Sequence, residues 1–441
     1  MRIGFIPIDN RPVCYNLPKD IVSIDGDIEL LLPPRDYLGS LTKTANIAGI
    51  FDWLKRIPTC DSIIVSLDTI AYGGLISSRR GEESFDEIKQ RILQFKEILN
   101  EKNAKIYAFS SIMRISNNNC NEEEKEYWSE FGKNIFEYSY NEHKYGNADY
   151  SKIPSEILTD YLNTRRRNFE INKIYLEWQK EGFFNTLIFS KDDCAEYGLN
   201  VQEAQELEKL GGFTKTGADE IPLTLLARSV KKDISVFVKY TEPDCTDSIS
   251  NYEDVSIAKS VSGQLDLAGF KEVNAESDAD LVLLVNNFRD KQGELVMGWD
   301  TLPYDKELKV LDKLFAVADV RYANGSDDAF VRQLLPKIDK NFIGYAGWNT
   351  SANTIGSLLA EIKIVYMASQ YNKKAFKRLQ IIRFLDDWAY QANVRAQITE
   401  PCDISEIMKS YESKLFEIFD LKYTPKYIYP WNRTFEIEVV L

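Results

Sequence analysis

SIIVSLDTIAYGG, residues 62–74, reads as a short apolar strand, Ser62–Ser66, that runs out at Asp68 and the pair Gly73-Gly74. The next apolar pattern has a different period. In FDEIKQRILQFKEILN, Phe85–Asn100, the residues Phe85, Ile88, Ile92, Phe95 and Leu99 return at helical spacing. Ser84, with Glu87 three residues on, predicts a capping box at the start of that helix. A buried strand followed by an amphipathic helix is the repeating unit of parallel α/β proteins.

The same alternation extends along the chain. Apolar runs that end in polar residues occur at 3–8, 28–32, 105–109, 186–189, 235–238, 281–285, 314–318 and 342–345. They do not alternate polar with apolar, which suits parallel strands covered on both faces. Helical patterns lie at 201–210, 221–231 and Ser351–Met367. Eight or nine strand signals predict a (β/α)8-like parallel barrel over residues 1–367. A charged, Tyr-rich helical excursion is expected at about 117–181. Residues 368–441 are expected to form a mostly helical extension packed on the barrel, ending in an extended segment. No internal repeat or low-complexity tract is visible.

Composition removes several function classes. The 441 residues carry a net charge of −14, which disfavours nucleic acid and anionic lipid as partners. The basic triplet Arg165-Arg166-Arg167 sits in mixed charge and reads as a solvated helix face. The first residues, MRIGFIPIDNRPV, do not read as a signal peptide, and no window approaches a membrane span. Six scattered cysteines without CxxC spacing suggest thiols in a reducing compartment, so a cytoplasmic location is expected. A single histidine, His143, excludes a multi-histidine metal centre and argues against a Ser-His-Asp triad. Chemistry must then rest on carboxylates, amides, arginines, Tyr and Trp.

Ligands of parallel α/β proteins bind beyond the carboxyl ends of the strands. At those ends the sequence places Asp9, Asn10 and Arg11, then Asp68 and Tyr72, Arg114, Asp192 with Asp193 and Tyr197, and Asp319, Arg321 and Asn324. Arg35, Arg79, Asn286 and Asn287 stand at further ends. Asp and Asn also serve as helix caps there, but caps do not explain the arginines. The doublet Asp192-Asp193 is the candidate catalytic pair, because two close carboxylates separate their pKa values and permit one acid and one base. In GYAGWNTSANTIG, residues 344–356, Trp348 offers a flat face and Asn349 and Asn353 fixed donors and acceptors. The backbone amides at that helix start could receive an anion. FLDDWAYQANVR, residues 384–395, reads as a packed amphipathic helix with a solvated face, and Asp219-Glu220 as a helix cap.

PIDNRPVCYNLP, LLPPRDYLG, VSLDTIAYGGLISSR, SKDDCAEYGLN, GADEIPLTLLAR, VADVRYANGSDD, AGWNTSANTIG and PWNRTFE together resemble the bacterial domain of unknown function 4127 family, from near the first residue to near the last. That resemblance implies a stand-alone bacterial protein and carries no activity with it. LIFSKDD, residues 187–193, is similar to the strand and double aspartate of substrate-assisted N-acetylhexosaminidases. By that likeness Asp192 would orient the substrate acetamide and Asp193 would be the general acid.

Three functions are therefore expected in order. The first is an intracellular glycoside hydrolase without a cofactor, acting on a small polar substrate such as an N-acetylated amino sugar. The second is an enzyme that holds Mg²⁺ on Asp9, Asp68, Asp192 and Asp319 and acts on a phosphorylated or carboxylated metabolite. The third is a non-catalytic ligand-binding protein. Self-association into a homo-oligomer is left open.

Overall fold

The computed structural model describes residues 1–192, 194–309 and 311–441. The chain forms two compact units. One comprises Met1–Tyr15 with Glu29–Pro222, the other Asn16–Ile28 with Leu223–Leu441.

In the first unit the described strands are β1 (Arg2–Ile6), β2 (Glu29–Leu31), β3 (Ser62–Ser66), β4 (Lys105–Ile112), β5 (Thr186–Lys191) and β6 (Thr214–Thr216). They pair in parallel in the order β2-β1-β3-β4-β5-β6. The first strand thus lies inside and the second at the edge, the order found in doubly wound sheets. β3 is buried along its whole length. The helix Phe85–Asn100 forms with the capping box between Ser84 and Glu87. Its Ile88, Ile92, Phe95 and Leu99 join Phe51, Ile63 and Val65 in one apolar core. Each such side chain contributes roughly 1.5–3 kcal/mol on leaving water.

β4 and β5 run further toward their carboxyl ends than their apolar residues predict. Their ladder continues through Ser111 opposite Ser190 and Ile112 opposite Lys191. Backbone pairing, indifferent to side-chain polarity, thereby carries serines into the buried layer. The helical excursion begins only at Trp128, with helices Trp128–Tyr145 and Ser155–Lys180. Residues 117–127 before it are loop and turn. The basic triplet departs from the solvated-face expectation. Arg165 is buried, pairs with Glu203 at 2.6 Å and donates to the Met113 carbonyl at 2.8 Å. Arg167 donates to the carbonyls of Ser78, Gly81 and Glu83.

The second unit contains β7 (Ser235–Tyr240), β8 (Lys271–Glu272), β9 (Leu281–Asn286), β10 (Gly293–Glu294), β11 (Phe315–Asp319), β12 (Tyr322–Ala323), β13 (Phe342–Ala346), β14 (Lys426–Ile428) and β15 (Glu438–Val440). Five of them form a parallel sheet in the order β13-β11-β9-β7-β8. Counted within this unit, the order again places the first strand inside and the second at the edge. β10 pairs with β12 in parallel, and β14 with β15 antiparallel. The helix Ser351–Met367 is buried on every side from Ser351 to Ile364, polar Glu361 and Lys363 included. The helix Lys373–Arg383 continues into a π-helix, Phe384–Val394.

The parallel β/α alternation is present, arranged in sheets of six and five strands. Among the described residues no pairing joins β2 to β6 or β8 to β13, so a closed barrel is not shown. No helix among them is long and apolar enough to cross a membrane.

Gly73 and Gly39 lock the turn after β3 to the loop after β2. Gly73 has φ 82°, and a Cβ there would overlap Thr44; a Cβ on Gly39 would overlap the Gly73 carbonyl oxygen. Gly73→Ala is expected to destabilise the protein by about 2 kcal/mol or more, because strain and overlap act together. Urea unfolding checks this, and a wild-type midpoint would refute it.

Candidate functional site

The strand ends of the first unit gather charge. Beyond β1, Arg11 is almost fully buried. Its Nε donates to Asp9 Oδ2 at 2.8 Å, and Nη1 and Nη2 hold both oxygens of Asp219 at 3.0 and 2.6 Å. Cys14 Sγ lies 3.8 Å from Asp219 Oδ1, and burial followed by the two aspartates pushes its thiol well up. Burial also raises Asp219, against the pull of Arg11. Asp9, Cys14 and Asp219 place three ligand-type atoms within 4.8 Å of one another. The Arg11 guanidinium already bonds both carboxylates, so this cluster carries its own cation and fits a metal ion poorly.

A second network lies at the ends of β4 and β5. Arg114 Nε and Nη2 bond Glu124 and Glu123 at 3.1 and 2.9 Å. Arg79, buried, reaches the same two glutamates at 3.1 and 3.4 Å. Asp192 Oδ2 stands 3.7 Å from Arg114 Nη1, with about a fifth of its side chain exposed. Arg80 ties the carbonyls of Asn121, Glu122 and Glu124, which fixes the loop that supplies the glutamates. Burial and the neighbouring Arg114 lower the Arg79 pKa. Asp193, the other member of the doublet, lies outside the described residues.

Asp68 follows β3, where the strand order reverses and open α/β sheets bind their ligands. It is buried, and its Oδ2 accepts from the Ser111 amide at 2.9 Å. Its Oδ1, like the hydroxyls of Tyr72 and Tyr175, makes no hydrogen bond among the described residues. Burial pushes the Asp68 pKa up to about 6. Ser111 Oγ in turn accepts from Ser190 Oγ at 3.2 Å, so a hydroxyl chain leads from beside Asp68 to β5. The Arg167 guanidinium covers the Tyr72 ring at 5.5 Å.

The chain belongs to the family described as Protein of unknown function (DUF4127). The family model matches residues 3–440, nearly the whole chain. No curated protein matches it.

The remaining sequence candidates divide between structural work and the second unit. Asn10 is held through its backbone, whose carbonyl accepts from Arg35 Nε and whose amide donates to Gly39. Tyr197 packs against Tyr140 and His143 with Lys144 above its ring. His143 Nδ1 accepts from the Gly198 amide at 3.0 Å, a loop-fixing role. In the second unit Arg321 is fully buried and bonded to Glu242, Asn286 and the Leu302 carbonyl. Asp319 accepts from Asn286, Tyr345 and the Asp327 amide, and burial with the nearby Asp327 pushes it up to about 8. Asn353 Nδ2 donates to the Thr350 cap. The helix start expected to receive an anion is met from within the protein, because Glu253 Oε1 accepts from the Ala352 amide at 2.7 Å. Asn324, Trp348 and Asn349 cluster elsewhere in this unit. Asn349 has φ 69° and its side-chain oxygen accepts from the Thr350 amide.

Asp219, Glu123 and Glu124 are site residues that the sequence reading missed. Asp219 read as a cap, and the glutamates lay in a stretch taken as helix. The adjacent carboxylates Asp219-Glu220 were the available signal for Asp219.

Two outcomes follow from these geometries. Removing Arg11 strands two buried carboxylates, so Arg11→Met should cost about 3 kcal/mol or more at neutral pH, against a smaller loss for Arg35→Met. Asp68, with a folded pKa of about 6 against an ordinary 3.8, binds its proton more tightly in the folded state. Its contribution is fully favourable below the ordinary value and is lost as pH rises to about 6, a loss on the order of 3 kcal/mol. Asp68→Asn should therefore flatten the fall in stability between pH 4 and 6, measured by urea unfolding at each pH. An unchanged slope would contradict this assignment.

Proposed function

We propose that the protein is an enzyme, a glycoside hydrolase of the cytoplasm, whose reacting carboxylates are Asp192, at the end of β5, and the next residue in sequence, Asp193. One observation carries the reading. Asp192 stands beside Arg114 at the end of β5, in a network where Arg79 and Arg114 bond Glu123 and Glu124. Asp192 is partly exposed at this strand end, where a carboxylate stabilises the positive charge of an oxocarbenium-like transition state.

In this reading Asp192, 3.7 Å from Arg114, acts as the carboxylate. It accepts a hydrogen bond from the substrate acetamide N–H and balances the charge formed when the acetamide oxygen attacks the anomeric carbon. Asp193 gives its proton to the leaving oxygen as the glycosidic bond breaks. It then takes a proton from the water that opens the cyclic intermediate. The metal reading has less support, since Asp9 is committed to Arg11 and Asp319 to Asn286, Tyr345 and the Asp327 amide.

Aryl glycosides of N-acetylglucosamine, N-acetylgalactosamine, glucose and galactose test the reading. Wild type is expected to release the aryl alcohol from an N-acetylated substrate. Asp192→Asn and Asp193→Asn should each lower kcat by about 100-fold or more. Absence of turnover by wild type, or full activity in Asp193→Asn, would sink the proposal.

A further inference from the structure

The loop after β10 holds apolar side chains in water on a turn whose backbone is fixed. Val296, Met297, Trp299 and Leu302 are between 43% and 58% exposed. Gly293 and Leu295 donate their amides to the Arg321 and Ala323 carbonyls at 3.1 and 3.2 Å, the pairing of β10 with β12. Glu294 and Trp299 exchange two backbone hydrogen bonds at 2.7 and 2.9 Å, which closes the turn 295–298. Glu294, a fully buried carboxylate, also accepts from the Met297 amide and from Asn324 Nδ2. On the return side the Tyr322 hydroxyl donates to the Thr301 carbonyl at 3.0 Å, and Arg321 Nη1 to the Leu302 carbonyl at 2.9 Å. At the tip Gly298 takes φ 67°, and a Cβ there would meet no described atom within 4 Å. The tip therefore stands clear of the residues that hold it.

A neighbouring loop extends the apolar surface. Ile249 is 57% exposed. Ser248 Oγ donates to the Arg289 carbonyl at 3.3 Å, and Asn251 Nδ2 to the Gln292 and Gly293 carbonyls at 3.2 and 3.3 Å. Residues on both sides of Ile249 are thus tied to the segment that leads into the turn. The exposed parts of the five side chains amount to roughly 500 Å² on one chain, more than a surface without a partner ordinarily carries in one place. Trp and Met are types enriched at protein interfaces. A rigid turn presents them without the cost of ordering them on contact.

The charges around this surface select its partner. Arg289, Lys291 and Lys306 stand against Asp290, Asp300 and Asp305, so the exposed rim is neutral in a chain of net charge −14. A rim without surplus basic residues does not hold an anionic membrane, and one without surplus of either sign does not select an acidic or a basic protein. It does suit a copy of itself, because a two-fold axis sets each rim against its own mixture of signs. Two copies seated in this way bury roughly 1,000 Å² of apolar surface, the size a specific interface must reach.

We infer that this loop is a self-association surface. The chain forms a two-fold dimer in which the turn around Met297 and Trp299, with Leu302 and Ile249 beside it, packs on the same turn of a second copy. The inference is independent of Asp192 and of the hydrolase reading.

Sedimentation velocity of the full chain tests it. Wild type is expected at twice the 50.8 kDa chain mass, with a dimer Kd of about 10 μM or tighter. Met297→Glu sets like charges against each other across the axis, and Trp299→Ala removes the largest apolar contact. Each should weaken the dimer by about 100-fold. Ile428→Glu changes a half-exposed apolar residue on β14 and should leave the dimer intact. If circular dichroism shows one loop variant unfolded, the other reads the same surface. Wild type that stays monomeric at about 100 μM would overturn the inference, including wild type that binds phosphatidylcholine vesicles instead. So would an unchanged dimer Kd in a folded loop variant, or dissociation by Ile428→Glu as complete as by Met297→Glu.

Discussion

A charge taken out of water must meet a partner within hydrogen-bond reach or give up its charge, and that constraint organises both units of this protein. Arg11 meets it most completely. Its guanidinium joins Asp9, two residues away, to Asp219, more than two hundred residues along the chain. The segment after β1 and the segment after β6 are thereby held at one carboxyl edge. The same logic places the loop 117–127, which has no strand or long helix of its own. Arg79, Arg80 and Arg114 hold it by its glutamates and by its carbonyls.

Once these demands are met, a few buried polar groups are left over. Most polar residues at the strand ends are committed. Asn286, Asn287, Arg321 and Glu242 satisfy one another, and Glu253 closes the helix start at Ser351. Asp68 Oδ1, Glu253 Oε2, Asn324 Oδ1 and Trp348 Nε1 are different: each is buried without a hydrogen-bond partner among the described residues. A list of polar strand ends therefore overstates the site, because it counts the scaffold's own hydrogen-bonding groups with the surplus.

Strands and the longer helices were legible in the sequence because burial writes itself into local periodicity. Ser62–Ser66, Phe85–Asn100 and Ser351–Met367 have the bounds their patterns predict. The edge strands β6 and β8 were not, since three and two residues leave no period to read. The π-helix was hidden for another reason. FLDDWAYQANVR has apolar residues compatible with an ordinary helix, and only its packing against 347 and 434–435 shows the wider turn. Site membership was least legible. Asp219 reads as a cap until Arg11 is seen beside it, and no local signal distinguishes the committed Arg321 from the partly exposed Arg114.

The two units share a strand order yet treat their reversal points differently. In the second, the end of β7 carries Glu242, which receives Arg321, Arg289 and Lys306 at 3.1, 3.2 and 2.7 Å. Three cations on one carboxylate leave that point no unmet acceptor, and its polar surplus lies instead beyond β12 and β13, at Asn324 and Trp348. In the first unit the reversal point carries Asp68, whose one bonded oxygen faces a backbone amide. A neutral donor compensates burial less than a guanidinium does, so the carboxyl holds its proton toward neutral pH. The same strand order thus yields a saturated electrostatic joint after β7 and a protonatable group after β3. The difference comes down to which residue type follows the strand and how many cations the later segments bring to it.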